Sequence, residues 1–471
     1  MKILLLALTA YIYNPSDWLQ YPDLNNIKNF TSDKLFNDVF CVTNNSIVAL
    51  DDISFRPSTT YGPESGLPSN ISMAVYDRKI AGFWVVTTNG ALYEFNSQAR
   101  ITSQVLLNQN LTVSRMGLNA DYVFLDHGSS LTSISKNTKS ETDTKPDSTV
   151  TWYGLDMPEN KPRSYPFLAP WVMVDPELSQ RPYSRVYVFD NKAFVTVSGY
   201  GYLIFDALAW RELARYQSPT ATNVSSFFTS DSSLYAFGSN GVDQILPKGG
   251  TVFHSFSRWG TTTSDQPSWS LGLANNLRTT GYDKARLAGG NVFLLDLYRI
   301  DVFNIAAKTL STITTQKTIY DVDFHMDSLF VASQDGITLA IIPKGQPAPL
   351  QDDRSKLVRN NVYAIVSGKN SRYFWTGSLV VKQSRSGWAY YAAPGFMPVP
   401  QRSVTGTDSL VILGGKGGVT IYKPETNFQL YLTSKDGLLS DNVTSVYLSG
   451  RYLWIASDAG YSRLDLNSVL P

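Results

Sequence analysis

Asp436-Gly437-Leu438-Leu439-Ser440-Asp441-Asn442 is a cluster of turn-forming residues, and the three segments C-terminal to it decide the fold. Residues 443–448 alternate apolar and polar as a strand does, Gly450-Arg451 turns, 452–456 is a Trp-bearing strand, Asp458-Ala459-Gly460 turns again, and 461–466 is a third strand. The same order stands far upstream. There Gly66-Leu67-Pro68-Ser69-Asn70 leads into strand 71–76, then Phe83-Trp84-Val85-Val86-Thr87, the turn Asn89-Gly90, and strand 91–95. Two copies this far apart point to one unit repeated along the chain.

Weaker copies keep the same rhythm over 27–50, 113–134, 185–205, 224–245, 285–303, 320–341, 362–382 and 404–422, which makes about ten units. Their second strands are anchored by apolar or aromatic residues, Phe36, Trp84, Val123, Phe194, Tyr235, Phe293, Phe330, Phe374, Val411 and Trp454. Fourth strands are expected over 210–216, 252–257, 388–391 and 428–432. Small antiparallel sheets of four strands, too apolar on their faces to stand alone, describe an all-β protein, a β-propeller of four-stranded blades. A β-helix is the competing repeat fold, but its coils are shorter and its strands parallel. The blade number stays open between one ring of ten, a ring of seven to nine, and two smaller propellers. Trp18-Leu19-Gln20-Tyr21 resembles the fourth strands, and the last unit has only three strands, so an N-terminal strand is expected to close the last blade.

Composition removes other classes. The chain has 471 residues, 13% aromatic and 17% charged, with one Cys, so neither a disordered tail nor a disulfide scaffold fits. Lys plus Arg number 40 and Asp plus Glu 39, a balance that gives no field for nucleic acid or an anionic membrane surface. After residue 10 no apolar run is long enough to span a bilayer. Residues 1–13 are expected to be a short export signal or a first strand, and 14–471 the propeller, with insertions at 137–184 and 259–281. Cys41 lies in the apolar run Val39-Phe40-Cys41-Val42 and reads as a buried structural thiol.

The stretch from Gly66 to Phe95 and the stretch from Asp436 to Asp465, with Leu453-Trp454-Ile455-Ala456-Ser457 at its centre, resemble the two-component regulator propeller repeat. Phe374-Trp375-Thr376-Gly377 matches it in part, and the other units by rhythm alone. The resemblance implies a β-propeller of the kind found in periplasmic parts of bacterial sugar-detecting sensors and in envelope or secretion components. No kinase or receiver sequence accompanies the repeats here, so sensing by phosphotransfer is not expected.

No catalytic set stands out. His127, His254 and His325 fall in different units without the spacing of a metal site. Gly414-Gly415-Lys416-Gly417-Gly418 precedes a strand, not the helix that a phosphate loop needs. Ser333-Gln334-Asp335-Gly336 and Ser457-Asp458-Ala459-Gly460 lack the aspartate-box spacing, and Asp321-Val322-Asp323 lies within a strand, which argues against a calcium loop. No catalytic residue, metal or cofactor is therefore assigned.

A ligand is expected at the turns between second and third strands and at those entering first strands, which share one face of a propeller. That places Asn70, Asn89, Asp126, His127, Tyr200, Asn240, Arg299, Asp335, Lys416, Asn442 and Asp458 as candidate binding residues, although the same residue types also occur in turns for backbone reasons. Trp152, Trp171, Trp259 and Trp269 are the aromatics of the insertions, which either carry function or cover a blade edge. The function expected is an exported, bacterial, non-enzymatic module, periplasmic, outer-membrane-associated or secreted, that binds a glycan or protein partner. The alternatives are a carbohydrate-active lyase or hydrolase and an envelope assembly subunit.

Overall fold

A computed structural model describes residues 14, 17–33, 35, 38–62, 65–174, 180–219, 224–230, 233–238, 241–245, 253–256, 284–288, 290–304, 306–307, 309–325, 328–341, 348–349, 361–395 and 401–470. Residues 1–13, Phe36, Asn240, and the 259–281 insertion with Trp259 and Trp269 lie outside the described residues. Those described form antiparallel strands joined by turns and single 3-10 turns, with no α-helix among them.

The strands fall into ten sheets. Counting the fourth from Gln180–Phe189, beside which the short strand Val172–Val174 is added, the first strands of the first nine are Ile27–Asp33, Ile71–Asp77, Arg115–Leu118, Gln180–Phe189, Ser226–Ser230, Lys284–Ala288, Ile319–His325, Ala364–Ser367 and Gln401–Gly406. Each runs on as a meander. The tenth sheet holds Val443–Ser449, Tyr452–Ser457 and Gly460–Asp465, and its fourth strand is Trp18–Pro22, hydrogen-bonded beside Gly460–Asp465. An edge that three strands would leave bare is thereby covered.

The chain divides into two compact units, 20–219 and a discontinuous one made of 1–19 with 220–471. Two units are among the arrangements that the sequence leaves open. The smaller unit holds the first four sheets and the larger one the remaining six. In both, apolar residues of two consecutive sheets make one cluster. Phe40 and Val42 meet Phe83 and Phe95, Trp84 and Val86 meet Met116 and Val123, and Ile412 and Val419 meet Leu453 and Ile455. Large rings fill these seams because twisted sheets stacked face to face leave wedge-shaped space.

A second device joins the sheets. Outside the third and fourth sheets, where an added strand lies on it, the first strand has one edge without a strand partner, so its N–H and C=O groups need others. They find side chains of the preceding sheet. Asn29 bonds both N and O of Ala74, and Thr31 accepts from the Tyr76 N–H. Ser226 accepts from Ala285, Asp321 from Ile365, Ser403 from Val446, and Thr405 from Leu448. The strand that carries the clamping side chain is often bulged just before it, between Ile27 and Asn29, Ile319 and Asp321, and Gln401 and Ser403. A bulge re-aims the side chains beyond it. Polar pairs two apart in otherwise apolar strands are thus inter-sheet clamps, each bond worth about 0.5–1.5 kcal/mol net.

The described residues of the 137–184 insertion, 137–174 and 180–184, belong to the smaller unit. Glu141–Thr142 completes the third sheet, and Thr151–Gly154 pairs with Arg115–Leu118 along the free edge of that sheet's first strand. Leu168 and Met173, with Tyr165 and Phe167, cover the face of the fourth sheet around Val195 and Leu203. Arg185 ties it down, donating to the carbonyl of Leu155 at 3.0 Å and to that of Lys28 at 3.4 Å.

The strand Trp18–Pro22 rests on a constraint elsewhere. Gly437 sits at φ 113°, and a Cβ there would lie 2.6 Å from the Trp18 ring. Gly437→Ala is expected to destabilise the larger unit by at least about 1 kcal/mol through positive φ alone. Thermal unfolding of the variant checks this, and an unchanged transition would contradict it.

Candidate functional site

Two of the sequence-expected residues meet in the smaller unit. The turn into strand Ile71–Asp77 and the turn after Gly82–Thr87 enclose a pocket of about 360 Å³ lined by Gly66, Pro68, Ser69, Asn70, Thr87, Thr88, Asn89, Tyr93 and Thr102. The turns are held by their own backbone and hydroxyls. The Thr88 N–H donates to the Asn70 carbonyl at 2.8 Å, Asn70 N–H to Asn45 Oδ1 at 3.3 Å, and the Thr87 hydroxyl to Asn89 Oδ1 at 2.5 Å. The lining has hydroxyls, amides and one phenol ring but no charged group, so it can exchange hydrogen bonds with a neutral polar ligand.

A second grouping lies in the larger unit. Lys416 and Asn442 form an isolated bridge between the ninth and tenth sheets, and Asn442 Nδ2 donates to Asp458 Oδ2 at 2.8 Å. A third involves Asp126 and His127. Burial pushes the Asp126 carboxyl up, but Arg115, with Nε 2.5 Å from Asp126 Oδ2, and the Gly128 N–H hold it below the usual carboxylate value. Arg115 also lies over the Trp152 ring, 4.4 Å from its centroid. Both His127 nitrogens are occupied, Nδ1 with the Thr112 carbonyl at 3.0 Å and Nε2 with the Thr132 hydroxyl at 3.1 Å.

The remaining candidates are scattered. Asp335 pairs with Lys317 at 2.8 Å on the surface. Arg299 opens the strand Arg299–Asn304 and pairs with Asp301 at 3.1 Å within that strand, not in a turn. Tyr200 occupies its expected turn with its ring buried among Val195, Val197 and Leu203, which takes it off the binding surface. Trp171 is 37% exposed. Cys41 is fully buried, and burial pushes its thiol well up.

The densest polar site was not expected from the sequence. First strands of all six sheets in the larger unit surround a cavity of about 230 Å³, lined among others by Ser226, Lys284, Arg286, Asp321, Asp323, Ser403, Ser445 and Tyr447. Arg286 forks between Asp321, at 3.1 Å, and Asp323, at 3.3 Å, and donates to the Ile365 carbonyl at 3.2 Å. Asp323 also accepts from Ser367. Burial raises the Asp323 carboxyl and lowers Arg372, while the charge of Arg286 pulls Asp323 back down. Asp321 and Asp323 stand two apart on one strand, so they face the same way. A guanidinium takes up both, so they serve as acceptors in an ion-pair network. Among the described residues no three His, Cys, Asp or Glu are placed to hold a metal ion.

No protein-family model and no curated protein sequence matches the chain. Among solved structures it is similar to the extracellular domain of BT4673 from B. thetaiotaomicron, described as a one-component system, with TM-score 0.39 and 12% identity over 94% of this chain. It is also similar to the extracellular domain of BT3049 from the same organism, described as a hybrid two-component system, with TM-score 0.38 and 12% identity over 97% of this chain. The chain spans 64% of the first and 70% of the second. No helix of the described residues is long and apolar enough to cross a membrane.

Proposed function

We propose that the chain is an exported, non-enzymatic binding module built as two β-propellers of the two-component regulator type, one of four blades and one of six, that recognises a glycan or protein partner through its turn face. The observation that carries this reading is the uncharged pocket between the Gly66–Asn70 turn and the Thr87–Asn89 turn. It brings Asn70 and Asn89 together beside the Tyr93 ring, donors and acceptors next to a flat apolar surface. The first strands support the ring reading, since that of the tenth sheet lies beside that of the fifth, as that of the fourth lies beside that of the first.

At the six-sheet cavity, a carbohydrate-active alternative would have to use Asp321 and Asp323. Glycoside hydrolysis needs one carboxyl free to protonate a leaving group and the other free to face the sugar. With Arg286 between them, neither is free, and this weighs for binding.

Glycan-array and pull-down experiments with the immobilised protein test the proposal. Retention of a partner is expected, with Asn89→Ala or Tyr93→Ala weakening it about tenfold, as the loss of one buried polar or stacking contact does. No retained partner at micromolar protein, or retention that both variants leave intact, would overturn it.

A further inference from the structure

Beside the turn pocket runs a sheet edge that binding at the turns does not explain. The second sheet ends in the strand Ile101–Val105, which pairs with Leu92–Asn96 on one side and with no described strand on the other. Its outward N–H and C=O groups therefore form an open row of donors and acceptors. Folds usually guard such an edge with charge, proline, a bulge or a very short strand. The other three sheets of the smaller unit do so. Pro57–Tyr61 opens on a proline and its register shifts, Glu141–Thr142 is two residues long, and Arg211–Gln217 is bulged and carries Arg211, Glu212 and Arg215. Ile101–Val105 has five residues, no charge, no proline and an unbroken register. Ile101 at its start is 64% exposed, and Leu106 just beyond its end is 82% exposed.

This edge and the pocket are continuous. Thr102 of the strand and Tyr93 of its neighbour both line the pocket, and the Thr102 hydroxyl donates to the Gly66 carbonyl, which ties the Gly66–Asn70 turn to the strand. Tyr93 lies opposite Gln104, so its ring is on the same side of the sheet as Thr102. A strand added along Ile101–Val105 would place every second side chain on that side, next to the pocket, and the others on the side of Ile101. Main-chain bonds then supply affinity and the pocket supplies selectivity, the division of labour found where a peptide extends a sheet. A row of main-chain groups at the strand repeat is matched by another main chain, not by a sugar ring. The strand and the described pocket lining hold no charged residue, which fits an uncharged segment.

We propose that the partner is a protein, and that an extended, uncharged segment of it joins the second sheet as a fifth strand along Ile101–Val105, with an apolar or aromatic side chain in the turn pocket beside Tyr93. This rests on the turn pocket being a binding site, and it takes the protein partner over the glycan.

A displayed library of random linear peptides, selected on the immobilised whole protein, tests this. Enriched peptides are expected to lack charge and to alternate apolar residues. The tightest of them, made synthetically, should slow amide hydrogen exchange at 101–105. Ile101→Lys combined with Ser103→Lys should weaken that peptide about tenfold or more, since lysine on an edge opposes strand addition. Both side chains are exposed, so the unfolding transition of this double variant should stay in place. Tyr93→Ala should weaken the same peptide about tenfold. The proposal is overturned if no peptide is enriched, if exchange slows only away from 101–105, if the double variant binds as the native protein does, or if the native protein forms a dimer that the double variant abolishes. Retention of a glycan by the native protein and the double variant alike, lost in Asn89→Ala, would overturn the added strand and leave the turn pocket standing. Binding that neither Asn89→Ala nor Tyr93→Ala affects would overturn both.

Discussion

Replacing Asp77 by alanine is expected to destabilise the smaller unit by about 3–5 kcal/mol, the usual cost of leaving one member of a buried ion pair behind. Asp77 closes the strand Ile71–Asp77, and three donors converge on its carboxylate. Lys136 lies at 2.6 Å, the Trp84 indole N–H at 2.8 Å and the Lys79 backbone N–H at 3.0 Å. Trp84 and Lys136 are both buried, and Lys136 also donates to the Asn119 carbonyl at 2.5 Å. The alanine variant therefore strands an ammonium and an indole donor away from water. Urea unfolding monitored by Trp fluorescence should show the midpoint fall sharply. Adding Lys136→Met should restore part of the loss, since the uncompensated charge is then gone. A loss under about 1 kcal/mol, or no recovery in the double variant, would show that the pair is not buried in the way described.

Trp18→Ala should have an effect of the same size in the larger unit, about 3–5 kcal/mol for truncating a large buried ring. Trp18 packs with Leu432, Leu438, Leu464 and Leu466, and its ring lies over Gly437. The strand it anchors is the fourth of the tenth sheet, so the loss also frees the edge of Gly460–Asp465. Bare edges pair with other chains. The variant is accordingly expected to be cut faster by protease near residue 20 and to associate at concentrations where the native protein does not. Unchanged proteolysis and unchanged light scattering would show that this strand contributes little to closing the sheet.

Much of the fold was legible in the chain. Alternation and turn residues located the strands, and the fourth-strand reading of 428–432 coincides with Phe428–Leu432. The likeness of Trp18-Leu19-Gln20-Tyr21 to other fourth strands pointed to its place beside Gly460–Asp465, because a period-two pattern carries both strand and face. Two smaller bodies stayed an open alternative in the sequence, but where the chain divides was not legible. The division falls near residue 220, between Phe194 and Tyr235, where the repeat spacing is regular. Periodicity reports each sheet's own strands, whereas the division depends on which faces meet across long sequence distances.

The polar sites divide in the same way. Asn70 and Asn89 could be assigned to turns of one repeat, so their meeting in one pocket is a consequence of local order. Alternation places Asp321 and Asp323 in a strand, which argues against a calcium loop, and their part in a network with Arg286 depends on a sheet 35 and 37 positions away. A signal was present nonetheless. Asn29 with Thr31, Asp321 with Asp323 and Ser403 with Thr405 are polar pairs, two apart, at matching places in apolar first strands. Period-two polarity on a buried strand face marks an edge in need of partners.

The placement of Trp18–Pro22 beside Gly460–Asp465 also sets an order of events during synthesis. The two strands are over 400 residues apart in sequence, with the smaller unit from residue 23 onward between them. Residues 20–219 are contiguous and can fold as they emerge from the ribosome. The segment bearing Trp18 must wait for the rest of the chain, and at about 5–20 residues per second the remaining 250 or so residues take roughly 12 to 50 seconds. For that interval an apolar strand is held without its partner, so the tenth sheet is the step at which a translating cell would lose this protein to a chaperone or an aggregate.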